Sequence, residues 1–185
     1  MDDVQGMTDA DAFESFVRRY QDLVFAVAVR LLGNPAEAED VSQTVFLRAF
    51  QRFDEIGSSA AAAGWLRTVT RNACLNHLSR YRARWRFFSE LGTAGAEDSE
   101  YEASLVSDGS LQAQMEQADQ RVRLERALRR LPDHQRVPLV LYHFEDASYQ
   151  EIAAALGVSL GKVKTDIHRG REALRKQLAT DDGPR

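Results

Sequence analysis

The chain has 185 residues, 44% of them hydrophobic, with 24 Lys and Arg against 28 Asp and Glu for a formal net charge of −4. That length and apolar fraction suit one ordinary folded domain or two small helical ones and exclude a disordered chain. The absence of an 18-residue apolar run and the acidic, polar start argue against membrane insertion and a secretory leader, so a cytoplasmic protein is expected; net negative charge argues against tight binding to free DNA.

Apolar residues at helical spacing from Phe13 to Leu31 predict a first helix over 11–32, ended by Gly33-Asn34-Pro35. A second helix follows over 37–53, with Glu37, Glu39 and Asp40 complementing its dipole and Val45, Phe46 and Phe50 assigned to the core. Glu55 to Gly64, with two glycines and two serines, reads as a loop that Ala60 to Ala63 can shorten. A third helix is predicted from Trp65 to about Arg86, burying a stripe of Trp65, Val69 and Ala73. From Trp65 to Phe88 there are six arginines and no acid, whereas Ser89 to Gln120 carries eight acids and no Lys or Arg. Such segregation points to separate surfaces with different partners.

The stretch 89–115, with Gly92, Gly95 and Gly109, has the composition of a flexible acidic linker. Beyond it a charged helix is predicted from Ala118 to Leu131 with Val122, Leu124, Leu128 and Leu131 as its apolar positions, and Pro138 is placed at the first turn of the next apolar segment. Ser148-Tyr149-Gln150-Glu151 has the form of a capping box, Gly157 suits a left-handed helix end, and Ser159 can cap a further helix. In that last helix Val163, Ile167, Gly170 and Leu174 form an inward stripe, and Lys162, Lys164, Thr165, His168, Arg169 and Arg171 face away. This is the pattern of a helix-turn-helix whose second helix enters a major groove.

Cys74 is a lone cysteine suited to a buried apolar position, and His77, His134, His143 and His168 are scattered singly. Without paired carboxylates, a phosphate loop or a nucleophile with its base, no enzyme, metal site or cofactor is expected. A stand-alone helix-turn-helix regulator is the rival class; it should dimerise and bind duplex DNA unaided. The arginine block beside Trp65 and the negative net charge speak against it.

Ala38 to Phe50, Trp65 to Asn72 and Ser148 to Leu174, in this order and spacing, resemble the extracytoplasmic-function group of the sigma-70 superfamily. The resemblance implies an all-α chain of two small helical domains: 8–88 for polymerase core binding and minus-ten recognition and melting, 89–115 as the flexible acidic linker, and 116–178 as a helix-turn-helix domain for the minus-thirty-five element. It implies docking of Asp40, Gln43, Leu47 and Arg48 on the beta-prime clamp helices of RNA polymerase core. It also implies a beta-flap contact, and minus-ten contacts through Arg67, Arg71, Asn72, Arg80, Arg82 and Arg84. Lys162, Lys164, Thr165, His168, Arg169 and Arg171 would serve the minus-thirty-five element, and an anti-sigma factor would control the whole. The chain departs from the family pattern in its loop, where Ala60 to Ala63 offer no side-chain donors or acceptors to a flipped base, and at Asp166, a position often basic in relatives.

Overall fold

The computed structural model describes residues 9–79 and 111–181, with the backbone alone at 111–118 and 181. All regular structure among them is α-helical, and the chain divides into two compact units, Met1–Arg80 and Tyr81–Arg185. The predicted linker up to residue 110, and Arg80, Arg82 and Arg84, lie outside the described residues.

In the first unit α1 (Asp9–Leu32), α2 (Pro35–Gln51), the single-turn α3 (Phe53–Ile56) and α4 (Ala62–Ser79) surround one core, α1 packing on both α2 and α4. Gly33, at φ 71°, ends α1 in the left-handed region. Asn34 then caps α2, its Oδ1 accepting from the Ala36 amide at 3.0 Å, and Pro35 fills the first helical position, where no N–H is needed. Val24, Val27 and Leu31 of α1, Val45 and Ala49 of α2 and Leu66 of α4 are all buried in the interior. The Thr70 hydroxyl, also buried, donates to the Leu66 carbonyl at 2.7 Å, satisfying a polar group within its own helix. His77 Nε2 lies 3.2 Å from Glu37, joining the end of α4 to the start of α2.

The loop is shorter than 55–64: Glu55 and Ile56 belong to α3, and α4 begins at Ala62, whose methyl is buried. The buried stripe of α4 runs through Leu66, Thr70 and Ala73, leaving Trp65 and Val69 half-buried at its edge. Phe50, assigned to the core, is 58% exposed.

The second unit holds α5 (Leu111–Arg130), α6 (Asp133–Phe144), α7 (Tyr149–Leu156) and α8 (Leu160–Asp181). α8 packs on α5, α6 and α7 around Leu128, Val137, Val140, Ile152, Val163 and Ile167. α5 starts at Leu111, inside the stretch that composition assigned to the linker, and Val122 on it is exposed. Pro138 is not in a first turn: α6 starts at Asp133, so the proline sits inside the helix, where the His134 carbonyl lacks its usual i+4 amide donor. Buried Arg136 secures the α5–α6 corner, donating to the Leu131 carbonyl at 2.8 Å and to Asp133 Oδ1 at 2.6 Å. Gly170 permits close approach of α8 to α6, since a Cβ there would meet Leu139 Cδ1 at 2.9 Å and the Gln135 carbonyl oxygen at 3.3 Å.

Candidate functional site

The helix-turn-helix forms from local signals that the sequence displays openly. Ser148 Oγ accepts from the Glu151 amide and Glu151 returns a bond from the Ser148 amide at 2.8 Å, closing the capping box that starts α7. Gly157 ends α7 at φ 66°, and Ser159 Oγ accepts from the Lys162 amide at 3.2 Å to start α8. Val163, Ile167 and Gly170 are buried as the inward stripe.

The six polar candidates on α8 divide in two. Lys164, His168 and Arg169 are exposed, and Thr165 is half-buried with its hydroxyl bonded to the Gly161 carbonyl at 2.9 Å. His168 Nε2 lies 3.8 Å from Glu172, a loose approach along one turn. Lys162 and Arg171, on the two flanks, turn inward instead. Lys162 Nζ donates to both oxygens of Asp166, at 2.6 and 2.7 Å, and Asp166 is only 5% exposed. Asp166 does weaken the basic stripe, though not as an exposed acid: its withdrawn carboxylate holds Lys162, its neighbour one turn back, and removes that charge from the face. Arg171 donates from Nε to His143 Nε2 at 3.1 Å and covers the Tyr142 ring at 5.5 Å.

Two histidines of this unit have depressed pKa values. Burial is the main cause for His134, opposed by Asp166 and reinforced by Lys162 and Arg169. His143 is held down first by partial burial and then by Arg171. Burial also raises the Tyr149 hydroxyl above its ordinary value, with Arg171 pulling the other way. No local periodicity marks His143 or Tyr149, because the partner Arg171 lies 28 residues beyond His143.

In the first unit Asp40, Gln43, Leu47 and Arg48 are all exposed on α2, Leu47 at 67%. Asp40, Gln43 and Leu47 follow one another at i, i+3 and i+7 and share a face. Phe50 extends it, three residues after Leu47 and seven after Gln43, a spacing that makes its exposure legible in retrospect. An open groove of about 810 Å³ runs between α1 and α2, with Phe13, Phe25, Phe46 and Phe50 among its lining and Asp22, Glu39 and Gln43 as polar groups. Phe13 anchors its end, packing edge-on against Phe50 and Phe53 with centroids 4.9 and 5.2 Å away.

On α4, Arg67 is exposed and Arg71 half-buried one turn later on the same side. Asn72 is exposed but turned about 100° from Arg71, onto the face that carries Trp65 one heptad earlier. The helix therefore separates the arginines from the asparagine, which the sequence reading grouped together. The Arg52 guanidinium stands 5.9 Å over the Trp65 ring and pairs with Glu55, so the tryptophan forms the wall of the turn before α4.

No described helix is long and apolar enough to cross a membrane, and among the described residues no group of His, Cys, Asp or Glu is placed to hold a metal ion. Compared with known families, residues 16–85 match Sigma-70 region 2 and residues 121–174 match Sigma-70, region 4. The chain is 33% identical over 171 residues to the ECF RNA polymerase sigma factor SigW of Bacillus subtilis (strain 168), covering 92% of this chain and 90% of that one. It is 34% identical over 170 residues to the RNA polymerase sigma-E factor of Streptomyces avermitilis, covering 92% and 87%. To the ECF RNA polymerase sigma factor SigE of Mycolicibacterium smegmatis it is 36% identical, covering 91% of this chain and 62% of that one. With both helical units matched in order and relatives aligned along nearly the whole length, the chain belongs to the extracytoplasmic-function group of the sigma-70 family of RNA polymerase sigma factors.

Proposed function

We propose that this transcription initiation factor binds polymerase core through the exposed face of α2 and recognises two promoter elements with its two units, α4 serving the minus-ten element and α8 the minus-thirty-five element. The observation that carries the reading is the outer face of α8. Lys164, His168 and Arg169 project into solvent there while their neighbours Lys162 and Arg171 are tied back. Short polar and basic side chains on the second helix of a helix-turn-helix suit base edges and phosphates of a major groove.

On α2, Asp40, Gln43 and Arg48 beside exposed Leu47 and Phe50 offer polar groups around an apolar ridge, the surface on which another helix docks. The beta-prime clamp helices are the partner we assign to it, and the second unit is assigned to the beta flap. Arg67 and Arg71 on α4, with Arg80, Arg82 and Arg84 beyond the described residues, supply charge for the phosphates of an opened strand. Asn72, on the Trp65 face, is assigned to hydrogen bonding with an extruded base. Linking the two weak sites raises affinity through effective concentration, so neither needs to hold DNA alone. We assign the protein to the cytoplasm, where the polymerase works, under control of an anti-sigma factor, and include no catalytic step, metal or cofactor.

The test is reconstitution of the purified chain with bacterial RNA polymerase core. Run-off transcription that requires core and depends on both promoter elements is the expected result. Tight duplex binding without core, and no initiation across a broad promoter library, would replace this reading with a stand-alone regulator.

A further inference from the structure

Arg171 lies three residues after His168 and seven after Lys164, so a helical wheel places it beside the groove-facing residues. Its surroundings assign it elsewhere. Its Nε–H donates to His143 Nε2 at 3.1 Å, and its guanidinium carbon stands 5.5 Å from the Tyr142 ring centroid. Tyr142 packs in turn on Tyr149, centroids 4.7 Å apart, and on the edge of His143 at 4.9 Å. The Tyr149 hydroxyl interacts with both Tyr142 and Arg171. Tyr142 and His143 end α6, Tyr149 is the first residue of α7, and Arg171 lies mid-way along α8. Arg171 therefore ties its own helix, α8, to two others, α6 and α7, next to the turn that precedes the helix-turn-helix.

We propose that Arg171 is a positioning residue for minus-thirty-five recognition: joined to His143, Tyr142 and Tyr149, it fixes the pitch of α8 against α6 and α7 and does not itself contact DNA. The proposal rests on the reading of α8 as the minus-thirty-five helix. A cation–π contact and a side-chain hydrogen bond together restrain a long side chain that would otherwise be free to reach a phosphate. His143 takes part as an acceptor, so its ring is neutral and carries its proton on Nδ1. Partial burial and the neighbouring guanidinium both favour that neutral form. The Gly170 contact with α6 lies one residue away, so the two helices are already pressed together where the clamp closes.

The experiment measures promoter affinity of holoenzyme assembled from the full chain, across a salt series, for Arg171→Ala, His143→Leu, His143→Gln and the Arg171→Ala/His143→Leu double variant. A lost phosphate contact lowers the slope of log K against log salt by about 0.9. A lost positioning contact lowers affinity with the slope unchanged. The expected result is a loss of about fivefold or more for Arg171→Ala and for His143→Leu, each at the wild-type slope. The double variant should be no worse than either single one. His143→Gln, whose amide oxygen accepts a hydrogen bond, should recover most of the loss. Nitrogen shifts of His143 in the wild-type chain should place the proton on Nδ1. A fall in slope for Arg171→Ala with silent His143 variants would make Arg171 a phosphate contact and overturn the proposal. So would wild-type affinity for every variant, or a proton on Nε2. Should Arg171→Ala fail to fold, the His143→Leu and His143→Gln pair decides the same question. Lys164→Ala distinguishes the underlying reading: if that variant binds as wild type, α8 is not the reading helix, whatever Arg171 does.

Discussion

At Gly157 the backbone has φ 66°, yet a Cβ there would meet nothing within 4 Å. Gly157→Ala therefore isolates the conformational cost of an L-residue in the left-handed region, about 1–2 kcal/mol, without adding a clash. Urea denaturation of the second unit should report that loss, and Gly157→Asn should lose less, because asparagine tolerates this region. A second residue-scale effect concerns protons. His134 and His143 both have pKa values below the ordinary 6.5, so the folded unit binds fewer protons than the unfolded chain just below that pH. Their contribution to stability is complete above pH 6.5 and declines as pH falls from there through the lowered folded values. Urea midpoints of the second unit should drop between pH 7.5 and 5.5. His134→Gln with His143→Gln should flatten that part of the profile, and an unaltered profile in the double variant would place the titration elsewhere.

At the scale of elements, the fold was legible wherever a signal was local. Asn34-Pro35, the Ser148–Glu151 box and Gly157 each determine a helix end within a few residues, and the structure places caps at all three. Local pattern misleads where distant parts of the chain decide burial. Trp65 and Leu66 are both apolar, and only packing against α1 and α2 selects Leu66 for the interior. Nothing local marks Asp166 for burial either, and the approach of α8 to α6 encloses it beside Lys162. Phe50 reads as core because it is aromatic, although its spacing from Leu47 and Gln43 placed it on the outer face of α2. Its exposure gives that element more apolar area for a partner than Leu47 alone. Asp40→Ala with Gln43→Ala should reduce association with polymerase core while leaving the thermal transition of the chain unchanged, since both side chains are exposed. Phe50→Ser should weaken core association further, by about tenfold if its ring is buried on docking. A pull-down against core checks both, and undiminished assembly would remove α2 from the interface. By contrast, Leu66→Ala should cost about 2–5 kcal/mol of stability, because that side chain is fully enclosed and its loss leaves a cavity. A thermal melt of the variant checks it.

For the molecule as a whole, charge governs how DNA is held. The chain carries a net −4, and on α8 one lysine is neutralised internally and one arginine is engaged with histidine. Duplex binding by the chain alone should stay in the nonspecific range, with Kd no tighter than about 10⁻⁶ M at physiological salt. Polymerase core should tighten it by orders of magnitude through joint engagement of both units. Fluorescence anisotropy with and without core measures the two values directly. The division into two units also sets a timetable. The first unit closes on contacts among α1, α2 and α4, all within the first 80 residues, and small helical bundles of this kind fold in microseconds to milliseconds. Translation of the remaining hundred or so residues takes roughly 5–20 s. The α2 face is thus assembled and accessible on the ribosome for seconds before the helix-turn-helix exists, and a partner that recognises it meets a nascent chain still unable to read a promoter.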